Sequence, residues 1–125
     1  MTENELAKIA IDVCFKIHNK YGPGLFESVH EEIFVYEWSK LSMALTRQKG
    51  IKVIHDGIDM GIGFIPDLIL DNKIILELKS VESLADVHYK QLLTYLRLTN
   101  LKLGLLINFN VPLIKDGIHR IVNNL

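Results

Sequence analysis

The sequence predicts an α/β fold in which helices cover a sheet, and two features of the chain support this prediction. Apolar residues recur at three- and four-residue steps near the amino terminus and again over residues 84–98, which is the period of amphipathic helices. The other segments are short β-like runs, separated by Asp56-Gly57 and Asp71-Asn72 turn signals. The predicted order is helix, helix, three strands, helix, strand, which indicates a sheet layered against helices.

Three helices are expected. The first covers about residues 3–20, because its apolar side chains return at helical spacing. That stripe consists of Leu6, Ile9, Ala10, Val13, Cys14 and Ile17. Residues 21–24 read Tyr-Gly-Pro-Gly and break the chain, so the second helix is expected over about residues 25–41. Glu27 lies in its first turn, where the helix dipole tolerates a carboxylate. The third helix is expected over about residues 84–98.

Four strands are expected, and a short segment near the carboxyl terminus could add a fifth at the edge of the sheet. The runs at residues 47–55, 60–70 and 73–80 predict an antiparallel meander. Residues 102–109 are almost entirely apolar and predict a strand that is buried on both faces. Residues 118–122 predict a short edge strand.

Composition limits the class of protein. A chain of 125 residues with 49% apolar composition predicts one domain spanning residues 1–125. No apolar stretch approaches the ~20 residues of a membrane helix. The chain has a single cysteine, Cys14, so it cannot form an internal disulfide. Its amino terminus is polar and acidic and does not resemble an export signal. Both observations favour a cytoplasmic protein. We expect Cys14 to be a small core hydrophobe. The formal charge of −1, with 14 Lys and Arg spread along the chain, argues against tight non-specific nucleic-acid binding.

Charged residues interrupt the predicted buried strands. Glu77 and Lys79 share one face of the strand at residues 73–80, because successive side chains in a strand point to opposite faces. A charge buried without a partner costs several kcal/mol, roughly, so these two must be paired, hydrated or bound to something. Asp67, across the Asp71-Asn72 turn, is the expected third member of the cluster.

The length of this turn decides whether the carboxylates meet. A two-residue loop would place Asp67 opposite Leu76, on the face away from Glu77. Convergence therefore predicts a three-residue loop through Lys73 or a bulge near Pro66.

Two converging carboxylates would supply the hard oxygen ligands that Mg²⁺ and Mn²⁺ prefer. An ammonium group beside them, that of Lys79, can hold an attacking water or stabilise charge on a phosphate. On the third helix His88, Gln91 and Tyr95 form one polar stripe. Because a helix that follows this strand can return along the sheet, we expect Gln91 to lie over the carboxylates.

The order of these residues resembles the PD-(D/E)XK nuclease superfamily. The motif comprises Pro66-Asp67, nine intervening residues, Glu77-Leu78-Lys79, and then Gln91-x-x-x-Tyr95. More narrowly, residues 24–30 (Gly-Leu-Phe-Glu-Ser-Val-His) and 104–109 (Gly-Leu-Leu-Ile-Asn-Phe) resemble the small GxxExxY proteins of bacteria and archaea. The resemblance covers nearly the whole chain and implies a restriction-endonuclease-like αβββαβ core with a mixed sheet flanked by helices.

The resemblance also implies roles for the site residues. Asp67 and Glu77, with the carbonyl of Leu78, would bind Mg²⁺ or Mn²⁺, and Glu27 would be the helical carboxylate that completes the metal site. Lys79 would position or activate the attacking water.

Three further residues receive supporting roles by resemblance. Gln91 would orient the nucleophile or the substrate, and Tyr95 would support it. His30 stands where the family has its signature tyrosine, so a role that needs a phenol hydroxyl is not available there. Histidine can still donate a hydrogen bond.

The leading hypothesis is a Mg²⁺- or Mn²⁺-dependent nuclease that acts on DNA or, less readily, RNA. Near-neutral charge means that substrate grip would come from a homodimer, a protein partner or the metal. The alternative is a non-catalytic binding or regulatory module on a nuclease scaffold, and a third option is hydrolysis of a small phosphoester. Structural roles also stay open: Glu77 and Lys79 can form an ion pair, Glu27 can be a helix-start carboxylate, and Tyr95 can be a packing residue.

Overall fold

The computed structural model describes residues 1–125 and contains three α-helices and seven strands. In chain order they are α1 Glu3–Tyr21, α2 Glu27–Ser39, β1 Leu45–Arg47, β2 Ile51–His55, β3 Ile58–Phe64, β4 Leu68–Leu70, β5 Ile74–Lys79, α3 Asp86–Thr99, β6 Leu103–Asn108 and β7 Ile118–Val122. A 3-10 turn at Ile114–Gly117 precedes β7 and was not predicted.

The three helices lie close to their predicted bounds, because their ends carry local signals. Thr2 and Glu5 form a reciprocal capping box at the start of α1. That helix stops at Gly22, where φ is +67°. At the end of α3, Asn100 adopts the left-handed conformation that commonly closes a helix. Helix α2 is two residues shorter at each end than predicted.

Five strands form one mixed sheet in the order β1-β4-β5-β6-β7. Strands β5 and β6 are parallel, whereas the other neighbours are antiparallel. The predicted edge strand at residues 118–122 is confirmed as β7. None of the three helices has the combination of length and apolar character that crossing a bilayer requires.

Helices cover both faces of this sheet. On one face, α1 and α2 pack against the even-numbered residues of β5, with Leu6, Phe34 and Trp38 fully buried. On the other face, α3 packs Leu92 and Leu96 against Ile69 of β4, Ile75 of β5 and Leu106 of β6. The predicted α/β fold, a mixed sheet flanked by helices, is therefore confirmed. Cys14 is a fully buried member of the α1–α2 core, as predicted, and burial raises the pKa of its thiol to about 12.

The predicted three-stranded meander is wrong in its connections. Residues 47–55 are divided between β1 and β2, and residues 60–70 between β3 and β4. Gln48 interrupts the first run with a left-handed backbone, φ +50°, and Pro66 interrupts the second because it lacks an amide hydrogen. Strands β2 and β3 consequently leave the main sheet as a separate two-stranded hairpin, and β1 pairs with β4.

Candidate active site

The loop between β4 and β5 has the length that the sequence argument requires. Leu68 pairs with Leu76 and Leu70 with Ile74, so residues 71–73 form a three-residue loop. Asp71 and Asn72 both adopt positive φ, a conformation that these residue types tolerate. The prediction of a three-residue loop is confirmed, and continuing this register sets position 67 opposite position 77.

Asp67 and Glu77 are linked through the backbone as well as by register. The amide of Asp67 donates to Oε1 of Glu77 at 3.4 Å, and the amide of Leu78 donates to Oδ2 of Asp67 at 2.8 Å. The predicted meeting of these two carboxyl groups on one face of the sheet is therefore confirmed.

Burial makes the ionised form of Glu77 unfavourable. The residue is 8% exposed, and burial, followed by the negative charge of Asp67, raises the pKa of Glu77 to about 8. The nearby ammonium of Lys79 acts in the opposite direction and does not outweigh these effects. In the metal-free protein Glu77 therefore holds a proton at neutral pH.

A polar cavity of about 160 Å³ opens over this pair. Its polar lining comes from β5, the segment before β4, and α3. These lining residues are Asp67, Glu77, Lys79, His88, Gln91 and Tyr95, with Ile65, Leu92 and Leu106 as apolar walls. The predicted polar stripe on the third helix therefore faces the carboxylates.

Packing holds Tyr95 and His88 in the cavity wall. The Tyr95 ring stacks on Phe64 with centroids 4.1 Å apart and planes 1° apart. Burial, and then the nearby carboxylates of Glu77 and Asp67, raise the pKa of Tyr95 above its usual value, so its hydroxyl stays protonated. Nδ1 of His88 accepts a hydrogen bond from the amide of Ala85 at the start of α3.

Glu27 is not part of this pair. It is exposed at the first residue of α2 and lines an adjoining cavity of about 220 Å³ together with Asp67. The structure has no group of three or more acidic, histidine or cysteine side chains arranged to hold a metal ion. The expected three-carboxylate convergence is therefore not seen; Glu27 is exposed, and the buried carboxylate of α2 is that of Glu31, one turn further along the helix.

Glu31, Arg47 and Gln48 form a polar network that was not predicted from the sequence. Glu31 is 8% exposed and accepts hydrogen bonds from both Arg47 and Gln48. Arg47 also bonds the exposed Glu32, and these two acidic partners keep the pKa of the guanidinium raised. Glu31 follows Glu27 by four residues on the same helix face, which is the one signal in the sequence that points to it.

His30 does not line the cavity, so the structure corrects its expected supporting role. The ring is fully buried and stacks on Phe109, with centroids 4.1 Å apart. Neither ring nitrogen has a hydrogen-bond partner. Burial, followed by the charge of His18, lowers the pKa of His30, so the imidazole is neutral. Its position on the core side of α2 is the physical reason for the difference.

The donor set fits a divalent cation. Burial, followed by the negative charge of Asp67, raises the pKa of Glu77, and a bound cation would favour the ionised form of both carboxyl groups. Mg²⁺ keeps several waters and is commonly held by one or two carboxylates, so Asp67 and Glu77 suffice without a third acidic residue.

A model described as the PD-(D/E)XK nuclease superfamily matches residues 4–121. Comparisons with curated proteins and with solved structures returned no match. The mixed sheet flanked by helices is consistent with the restriction-endonuclease-like core of that superfamily, which indicates nuclease-like phosphodiester hydrolysis on a nucleic acid and, typically, use of a divalent metal. Because the match spans nearly all of its length, the chain belongs to the PD-(D/E)XK nuclease superfamily.

Proposed function

We propose that this protein is a Mg²⁺- or Mn²⁺-dependent nuclease that hydrolyses phosphodiester bonds in DNA. The observation that supports the proposal is the placement of Asp67 opposite Glu77, with Lys79 two residues further along the same face of β5, in one polar cavity. This arrangement combines oxygen ligands, a cation and an opening to solvent. A purely structural ion pair would not need the opening.

The two carboxyl groups and the lysine of the cavity receive catalytic roles under this proposal. Asp67 and Glu77 would hold the metal ion. When bound, the ion would polarise the scissile phosphate and neutralise charge that develops on it. The Lys79 ammonium donates hydrogen bonds, so it would hold the attacking water or a phosphate oxygen.

The polar face of α3 completes this set of roles. The Gln91 side chain carries both a donor and an acceptor, so it would orient the water or the substrate. Tyr95, fixed against Phe64, would support Gln91 one helical turn away.

Substrate grip has to come from outside this cavity. Lys79 is the one Lys or Arg among its lining residues, and the chain carries a net charge of −1. Duplex binding by phosphate neutralisation requires several cationic contacts. We therefore propose a homodimer or a protein partner, for which the β2–β3 hairpin offers exposed apolar side chains at Ile54, Ile58, Met60 and Ile62. We also propose membership of the GxxExxY group, on residues 24–30, and a cytoplasmic location.

Cleavage assays with Mn²⁺ test the nuclease proposal. Lys79→Ala is expected to abolish Mn²⁺-dependent cleavage of DNA while the far-UV circular dichroism spectrum stays unchanged. Lys90→Ala is the matched control, because Lys90 is an exposed lysine of α3 that does not line the cavity. Undiminished cleavage by the Lys79→Ala protein would refute the role of this residue.

A non-catalytic module remains the second candidate, and the lack of a third metal-ligating side chain favours it. Calorimetry with Mn²⁺ discriminates between the two. The nuclease proposal expects Mn²⁺ binding by the unmodified protein and weaker binding by Asp67→Ala. Equal binding by both, or none by either, supports the module. Turnover of nucleotides without turnover of polynucleotides would instead indicate a small phosphoester substrate.

A further inference from the structure

The buried carboxylate of Glu31 connects α2 to the turn after β1. Its Oε2 accepts from Nε of Arg47 at 2.8 Å, and its Oε1 accepts from Nε2 of Gln48 at 2.9 Å. Both carboxylate oxygens are thus occupied by side chains of adjacent residues, Arg47 at the end of β1 and Gln48 in the turn that follows. A buried carboxylate requires such partners, so Glu31 fixes where the Gln48 amide lies.

Gln48 contacts Asp67 through both its backbone and its side chain. The backbone N–H of Gln48 donates to the backbone carbonyl of Asp67 at 3.0 Å, and the side-chain Nε2 of Gln48 lies 3.5 Å from Oδ1 of Asp67. Its φ of +50° is uncommon for a residue with a side chain and costs roughly 1–2 kcal/mol. The surrounding contacts hold the residue in this conformation, which turns the chain from β1 and directs the side-chain amide between Glu31 and Asp67.

The Asp67 carboxylate is therefore held at both oxygens. Oδ1 faces Gln48, and Oδ2 accepts from the amide of Leu78 in β5. The hydrogen bond from Leu78 connects the Asp67 carboxylate to β5, whereas the contact with Gln48 connects it, through Glu31, to α2. Asp67 follows Pro66 in the link between β3 and β4, outside any strand, so regular pairing does not fix its side chain.

We propose that Gln48 is a positioning residue for Asp67, and that Glu31 anchors it; this inference rests on the proposed metal-dependent function. Gln48 holds Oδ1 of Asp67 at a set distance from α2 and thereby fixes the carboxylate in the orientation that a metal ion requires. Groups that orient metal ligands typically change metal affinity or activity by about 10–100-fold when they are removed. Neither Gln48 nor Glu31 needs to touch the ion.

Metal affinity gives the first test. Gln48→Ala is expected to raise the Mn²⁺ dissociation constant, measured by calorimetry, by about 10–100-fold. Gln48→Glu is expected to weaken binding at least as much, because it sets a third carboxylate between Glu31 and Asp67. Lys49→Ala is the matched control, since Lys49 is the exposed neighbour in the same turn and makes no ion pair. An unchanged dissociation constant in Gln48→Ala, even with a lowered melting temperature, would mean a structural role and would overturn the proposal.

The Leu78 amide gives a second readout that needs no metal. Because this amide donates to Oδ2 of Asp67, its proton chemical shift and its exchange protection report how the carboxylate is held. In the metal-free protein we expect Gln48→Ala to move the Leu78 amide signal and to speed its exchange, and Lys49→Ala to leave both unchanged. An undisturbed Leu78 amide overturns the positioning role. If the unmodified protein binds no Mn²⁺, the proposed function fails, and the Leu78 amide still decides whether Gln48 positions Asp67.

Discussion

Replacing Glu77 with glutamine should stabilise the metal-free protein while removing a proposed metal ligand. Glutamine has the shape of a protonated glutamate, and its oxygen can still accept from the Asp67 amide. It differs in having no proton to lose. Glu77→Gln therefore isolates the free-energy cost of keeping this buried carboxyl group protonated at a pH where an exposed glutamate would be ionised.

The pKa of Glu77 sets the size and the sign of the effect. In the folded protein this pKa is raised from 4.5 to about 8, so the native state holds a proton that the unfolded chain releases. The free energy of unfolding consequently falls as pH rises from about 4.5 to about 8. With about 1.4 kcal/mol per pKa unit, the cost is about 3 kcal/mol at pH 7 and about 1 kcal/mol at pH 5.

Urea denaturation in the presence of EDTA measures this cost directly. The gain in unfolding free energy from Glu77→Gln should be about 2 kcal/mol larger at pH 7 than at pH 5. Titrating groups remote from Glu77 are the same in both proteins, so they cancel in this difference. Glu82→Gln, at an exposed glutamate, should show no such dependence on pH. An equal gain at both pH values would refute the reasoning, because it would mean that Glu77 is already ionised in the folded protein.

Three further substitutions have defined expected outcomes, each measured by urea denaturation. His30→Phe should raise the free energy of unfolding by about 1–3 kcal/mol, because it removes two buried ring nitrogens that lack hydrogen-bond partners. Because the pKa of His30 is lowered in the folded protein, this gain should grow as pH falls below 6.5. A gain that does not change with pH would contradict the prediction. Gly104→Ala should destabilise the fold by about 1–3 kcal/mol, because the added methyl group would lie 2.8 Å from Leu92. Arg47→Ala should destabilise it by about 1–3 kcal/mol, because the buried Glu31 loses a charged partner, whereas Arg97→Ala, at an exposed arginine, should change little.

The sequence predicted those helices and strands that are encoded by the spacing of apolar residues within one segment of the chain. Apolar periodicity located α1 and α3, and the almost wholly apolar run located β6. The expected meeting of Asp67 with Glu77 predicted the three-residue loop between β4 and β5, because side chains alternate strictly along a strand. The sequence did not reveal the break after β1, since a left-handed Gln48 has no compositional signature and depends on contacts with Glu31 and Asp67.

In the candidate active site, too, features set by local sequence were predicted, whereas features set by tertiary contacts were not. Glu77, Lys79, Gln91 and Tyr95 come together as predicted because each lies on a regular element with a predictable face, and Asp67 joins them from the residue that precedes β4. The bonds that Arg47 and Gln48 make with Glu31 join a turn to a helix that lies 16 or 17 residues away in the chain, and tertiary packing determines them. Periodicity cannot report such contacts. His30 was misplaced for the opposite reason, because its polar type concealed its core position.

Glu77 and His30 are both buried ionisable residues, but only Glu77 belongs to the candidate active site. Both lack a fully compensating partner, and both should make the protein less stable than an uncharged replacement would. Glu77 faces the polar cavity on the α3 side of the sheet, whereas His30 lies on the α1–α2 side against Phe109. Under the proposed function Glu77→Gln should gain stability and lose Mn²⁺ binding, while His30→Phe should gain stability and keep it. Loss of Mn²⁺ binding by both proteins would indicate a general effect of packing, and it would remove the reason to assign the raised pKa of Glu77 to a metal site.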